Sequence, residues 1–211
     1  MALLLVLFLF SSANISTLTL IVEEEPAAAQ AEITPQYIAD KIIESRGLLP
    51  NNPDSAIQIV EGLLLYKWVT QNDSLYARAK YVAGVAYYYK DFYNISIESY
   101  KQALSTRYAQ SDEAFRVRLL NNIGVSYDNL KQHDDALHYY HRALEIEKRR
   151  GALGSQADMY INIGLVYFAI DDFKEALKNF KLAQHLIEGL PVDYTNGLIQ
   201  QNLGIVYKKW K

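Results

Sequence analysis

The chain has 211 residues, half of them hydrophobic and 21% charged, with a net charge of −3. This is enough apolar material for one domain or a short repeat array, and it lacks the basic field of a nucleic-acid binder. There is no cysteine, which excludes disulfides, thiolate metal sites and cysteine nucleophiles together.

The first 31 residues differ from the rest. The apolar run "ALLLVLFLF" is followed by "SSA", small residues suited to signal peptidase at Ala13. A second cleavage option is "AAAQA", with Ala29 and Ala31 at the small-residue positions. That option would remove Glu23, Glu24 and Glu25 and balance the charge of the remaining chain. No Lys or Arg precedes Lys41, so the positive n-region is missing, and an uncleaved anchor stands as the other reading. Ser11, Ser12, Asn14 and Ser16 interrupt the apolar stretch, against the ~20 apolar residues of a spanning helix. The expectation is export to a periplasmic or extracytoplasmic location, or a cytoplasmic one if the leader is not a signal.

From residue 32 a forty-residue ruler governs the chain. "NIGVSY" at 122–127, "NIGLVY" at 162–167 and "NLGIVY" at 202–207 repeat one phrase. Gly84, Gly124, Gly164 and Gly204 are forty apart, and Tyr87, Tyr127, Tyr167 and Tyr207 follow each glycine by three. Twelve residues after the first three glycines stand Ser96, Ala136 and Ala176; sixteen after stand Tyr100, Tyr140 and Phe180; nineteen after stand Ala103, Ala143 and Ala183. Counting backwards finds Ala56, Val60 and Leu63, a degraded unit at about 35–73. The units that follow span about 74–111, 112–151 and 155–190, with a partial unit at 192–211.

Each unit reads as two helices separated by a polar break: "YKDF", "LKQHD" or "IDDF". Glycine costs a helix about 1 kcal/mol against alanine, so its place implies a close backbone approach. The small residue on the second helix is expected to meet that gap, with the rings filling the space beside it. One hairpin cannot bury its apolar faces alone, so neighbours stack into a solenoid. Gly151 and Gly189 read as helix C-caps and Ser155 as an N-cap.

These residues resemble the tetratricopeptide repeat family: Gly84-x-x-Tyr87 with Ser96, Tyr100 and Ala103, then Gly124-x-x-Tyr127 and Gly164-x-x-Tyr167 with their counterparts. The resemblance runs from about 35 to 211 and implies an all-α, right-handed solenoid of antiparallel helix pairs. The period departs from the family's ~34 residues. Lys80, Leu120, Tyr160 and Gln200 stand where the family writes tryptophan, and the late proline is missing. The six surplus residues suggest longer helices or longer turns, such as "RRGALGSQ" and "EGLPVD". The long Asn-x-Gly units resemble those of kinesin light chains and of the extracytoplasmic parts of bacterial sensor proteins.

The resemblance also implies a groove lined by the first helices, in which a protein or extended peptide lies. Its positions map to Arg78, Tyr81, Val85, Tyr88 and Tyr89; to Arg118, Asn121, Asn122, Val125 and Asp128; to Asp158, Ile161, Asn162, Leu165 and Phe168; and to Gln201, Asn202, Ile205 and Lys208. Asn122, Asn162 and Asn202 fall on one line. An amide donates and accepts at once, which suits a peptide backbone, or it ties adjacent helices together. The family's carboxylate clamp needs cations where this chain has Tyr81, Val85, Val125, Ile161 and Leu165, so a chaperone tail is not expected, although Arg78 and Arg118 remain able to meet one acidic residue.

His133, Asp134, Asp135, His138 and His141 form the one metal-like cluster, but it sits on a second helix beside an inward ring and reads as a solvated face. No nucleophile constellation, phosphate loop or dinucleotide fingerprint is present. The reading is therefore a non-enzymatic scaffold without cofactor or metal, without nucleic acid, and with membrane contact only through an N-terminal anchor. Two alternatives stay open. One is the truncated extracytoplasmic input region of a bacterial two-component or transcriptional signalling protein. The other is a self-assembly module that docks through its last helix, where Ile205 and Tyr207 ask for cover.

Overall fold

A computed structural model describes residues 34–188 and 193–210, and the side chains of the last helix from 197 onward. Both cleavage positions and the cap at Gly189 lie outside the described residues. Pro35–Lys211 forms one compact unit. The fold is all-α, with eleven helices and no strand among the described residues. In chain order these are α1 (Pro35–Gly47), α2 (Pro53–Leu64), α3 (Lys67–Gln71), α4 (Asp73–Tyr89), α5 (Tyr93–Leu104) and α6 (Arg107–Ser111). They continue with α7 (Glu113–Asn129), α8 (His133–Arg150), α9 (Leu153–Ala169), α10 (Phe173–Ile187) and α11 (Asp193–Lys209).

The pairs α4–α5, α7–α8 and α9–α10 pack most closely, and each second helix also packs on the first helix of the next unit. The starts are fixed by side chains that take up orphan N–H groups: Asn52, Asn72, Thr106, Asp112 and Asp172 each accept from the N–H three residues on. The three polar breaks share one turn. Asp91, Lys131 and Asp171 adopt a left-handed backbone with φ of 60–61°. The next N–H then reaches back to the carbonyl of Tyr87, Tyr127 or Tyr167 at 2.9–3.0 Å.

The six surplus residues of each unit go to two different places. In the first two joints they form the five-residue helices α3 and α6. In the third joint the second helix, α8, runs for 18 residues instead. Gly151 ends it in the left-handed conformation, φ 67°, as the sequence implied. Ser155 is not the N-cap of α9. That helix begins at Leu153 with Ala152 as cap, so Ser155 already lies in the first turn, and "RRGALGSQ" is mostly helix rather than turn. Gln156 instead donates from Nε2 to the Glu147 carbonyl across the joint, at 3.1 Å.

The contact at each glycine also differs from expectation. The ring sixteen residues on, not the small residue twelve on, occupies the missing side chain's place. A Cβ on Gly84 would lie 2.5 Å from the Tyr100 ring; on Gly124, 2.7 Å from Tyr140; on Gly164, 2.7 Å from Phe180. These rings are almost wholly buried. Of the small residues, Ser96 does approach its glycine, its Oγ donating to the Gly84 carbonyl at 2.8 Å. Tyr87, Tyr127 and Tyr167 are half-buried rather than core, and Tyr207 is exposed. Two of them tie a unit to the second helix before it: the Tyr87 hydroxyl donates to Glu61, and Lys101 Nζ donates to the Tyr127 hydroxyl at 2.8 Å. Burial and the Glu61 carboxylate push the Tyr87 pKa up to about 12.

Candidate protein-binding face

The first helices α4, α7, α9 and α11 carry the sequence-predicted site residues, and the structure gathers only some of them. One cavity of about 230 Å³ is lined by Tyr81, Val85, Tyr88, Tyr89, Tyr100, Asn122 and Val125. Glycine-to-ring packing builds it: Tyr100, seated on Gly84, brings its ring to Tyr81 at 6.0 Å between centroids. Tyr88 meets Tyr89 edge-on at 5.9 Å, so the wall is aromatic and stiff. A second cavity, of about 390 Å³, shares Tyr81 and is lined by Arg78, Arg118, Arg46, Ile42 and Phe115 among others. Arg46 belongs to the degraded first unit and was not among the expected site residues. It falls at no position of the ruler that Arg78 and Arg118 share, so the periodicity held no signal for it.

The amides follow a different course from one continuous line. Asn162 donates from Nδ2 to Asn121 Oδ1 at 2.8 Å, from α9 to α7. Asn121 in turn approaches Asn122 Oδ1, and Asn122 the Tyr100 hydroxyl, each at 3.4 Å, a length at which a hydrogen bond is weak. The strong amide bond therefore joins neighbouring units. In α11 this link is broken. Forty residues after Asn121 stands Ile161, which offers no acceptor. Asn202, 8% exposed, is left with a buried Nδ2 that has no partner among the described residues.

Ile161 is 3% exposed and packs with Ile199 and Leu203, so it belongs to the core and not to the face. The cause is α11, whose apolar side covers it. Leu165, Gln201, Ile205 and Lys208 are exposed, and Phe168 is half-buried against Phe173. None of them lines either of the two cavities. Asp158 reaches solvent on α9, yet partial desolvation by its neighbours raises its pKa. Asp128 is held by His133, whose Nδ1 lies 3.0 Å from its Oδ1. His138 and His141 are exposed on α8, and no group of three potential metal ligands forms among the described residues.

Residues 115–184 match the family model of the tetratricopeptide repeat. No curated protein matches the chain. Among solved structures, the apo form of RapI superposes with a TM-score of 0.74 at 18% identity, covering 87% of this chain and 52% of RapI. The chain thus spans about half the length of that protein. A putative kinesin light chain with nearly identical TPR-like repeats, from Podosopora anserina, gives 0.70 at 12% identity, covering 83% of this chain and 87% of the other. MamA gives 0.57 at 21% identity, over 77% of this chain and 84% of MamA. At these identities the likeness is one of fold, and the fold is a tetratricopeptide-like solenoid.

Proposed function

We propose that the chain is a non-enzymatic scaffold that binds an extended segment of another protein along its first helices. The observation that carries this is the pair of adjoining cavities sharing Tyr81, with apolar and aromatic walls edged by amide and guanidinium groups. Flat aromatic walls bury apolar side chains at low entropic cost, and the polar edges fix the backbone between them. Tetratricopeptide repeats commonly mediate protein–protein binding, which supports the same reading. The apolar leader supports export.

A random peptide library displayed on phage and selected on the full chain tests it. Selected peptides should compete with one another and lose binding to Val85→Asp and Tyr88→Ala, while the melting temperatures of these variants change little. Peptides that bind these variants as well as the parent would place recognition elsewhere and end the groove reading. Self-association through α11 is the second reading, favoured by Ile205, Tyr207 and Trp210, which are 41%, 47% and 51% exposed on or beside that helix. It requires a dimer in sedimentation that Trp210→Ala with Tyr207→Ser dissolves.

A further inference from the structure

We propose that the cavity between α1, α4 and α7 is an acid-recognition subsite. It takes an Asp or Glu side chain from the middle of a partner's segment, with an apolar residue beside it. This deepens the groove reading and rests on it.

Three arginines from three separate helices line the cavity: Arg46, Arg78 and Arg118. Among the described residues no carboxylate lines it, and none of the three makes an ion pair. By contrast Arg116, Arg149 and Arg150 all sit on glutamates. Three cations on one wall without an acidic partner among the described residues are out of keeping with a chain of net charge −3.

The rings explain how two of these cations are held. The Arg78 guanidinium lies 6.0 Å from the Tyr108 ring centre, and that of Arg118 lies 5.5 Å from the Phe115 ring centre. Tyr108, Phe115 and Tyr81 pack ring to ring at 5.3 and 5.6 Å. At these distances the ring faces attract the cations without taking up their N–H groups, which stay free to bond a carboxylate. A guanidinium can meet a carboxylate with two parallel hydrogen bonds.

The floor decides what carries the acid. Ile42 is buried, but Ile43 is 65% exposed beside the arginines, which calls for an apolar neighbour to the carboxylate. Tyr81 is shared with the smaller cavity of about 230 Å³, where Val85, Tyr88 and Val125 continue the apolar lane. A segment lying there runs on past the acid, so the acid is a side chain and not a chain end.

The test uses the full chain, isotope-labelled at arginine, and a blocked pentapeptide, Ala-Phe-Glu-Phe-Ala, acetylated and amidated, beside its Gln counterpart. The arginine Nε–H resonances of residues 78 and 118 should shift with the Glu peptide. The Gln peptide should bind about tenfold more weakly or worse, and added salt should erode the difference. Arg78→Gln with Arg118→Gln should abolish the preference; both sites are exposed, and an unchanged melting temperature verifies the fold. Equal binding of the two peptides overturns acid recognition and leaves the groove reading standing. Phenylpropionate or inorganic phosphate binding as tightly as the peptide overturns the protein-segment occupant. Binding of neither peptide overturns the subsite, while the library selection judges the groove separately.

Discussion

Gly124 and Gly204 occupy the same place on the ruler and meet opposite surroundings. Substituting alanine should stabilise the protein at Gly204 but not at Gly124. Alanine gains about 1 kcal/mol over glycine in a helix interior. At Gly204 nothing among the described residues lies within 4 Å of the new Cβ, so Gly204→Ala should stabilise by about that amount. At Gly124 the Cβ would lie 2.7, 2.8 and 3.1 Å from three atoms of the Tyr140 ring. That ring is 2% exposed between Ala136 and Ala143, both at 0%, and has no room to withdraw. Overpacking of this kind costs about 1–3 kcal/mol, so Gly124→Ala is neutral to destabilising by up to about 2 kcal/mol after the helix gain. In a domain of this size each kcal/mol is about 2–4 °C, which separates the two variants by about 2–12 °C in a thermal melt followed by circular dichroism. A double-mutant cycle isolates the cause: with Tyr140→Leu in the background, Gly124→Ala should become favourable. A Gly124→Ala protein that melts above the parent, like Gly204→Ala, would refute the ring-to-glycine account.

Arg150→Ala should destabilise by about 3 kcal/mol in denaturant titration, because Glu147, 3% exposed and bonded to Arg150 at 2.7 Å, would be a buried charge without its partner. Asn202→Leu should raise stability by about 1 kcal/mol, since it replaces an orphaned buried amide with an apolar side chain. Asp158→Asn should raise the melting temperature at pH 7 and leave it unchanged near pH 3. The folded chain raises the Asp158 pKa above its ordinary value, so the group favours folding only while protonated and loses that advantage as pH climbs through the raised value.

The ruler made the helix pairs legible because each glycine, ring and alanine falls at a fixed distance along a helix. It did not reveal which of them touch. Spacing along the chain shows that Tyr100 and Ser96 lie on the same helix, but only the orientation of that helix brings the Tyr100 ring over Gly84. The left-handed turns at Asp91, Lys131 and Asp171 were hidden because the residue there is never glycine. The Asn row looked uniform from 122 to 202, yet its strong bond runs through Asn121, which the ruler does not repeat. Ile161 was placed on the face by analogy with Tyr81 and Asn121, and α11 covers it instead.

The joints carry a consequence for how such a chain is lengthened or shortened. At Asp112 one unit ends and the next begins on a single residue, which closes α6 with its N–H and opens α7 with its carboxylate. Asn72 does the same one unit earlier, so a block running from just after Asn72 to Asp112 starts and ends on equivalent caps. At the third joint the boundary is welded: α8 runs on through Glu147, whose carbonyl receives Gln156 from α9 and whose carboxylate holds Arg150. Forty-residue blocks can therefore be inserted or removed between 72 and 112 with their ends intact, whereas the joint between units two and three has no residue that caps both helices.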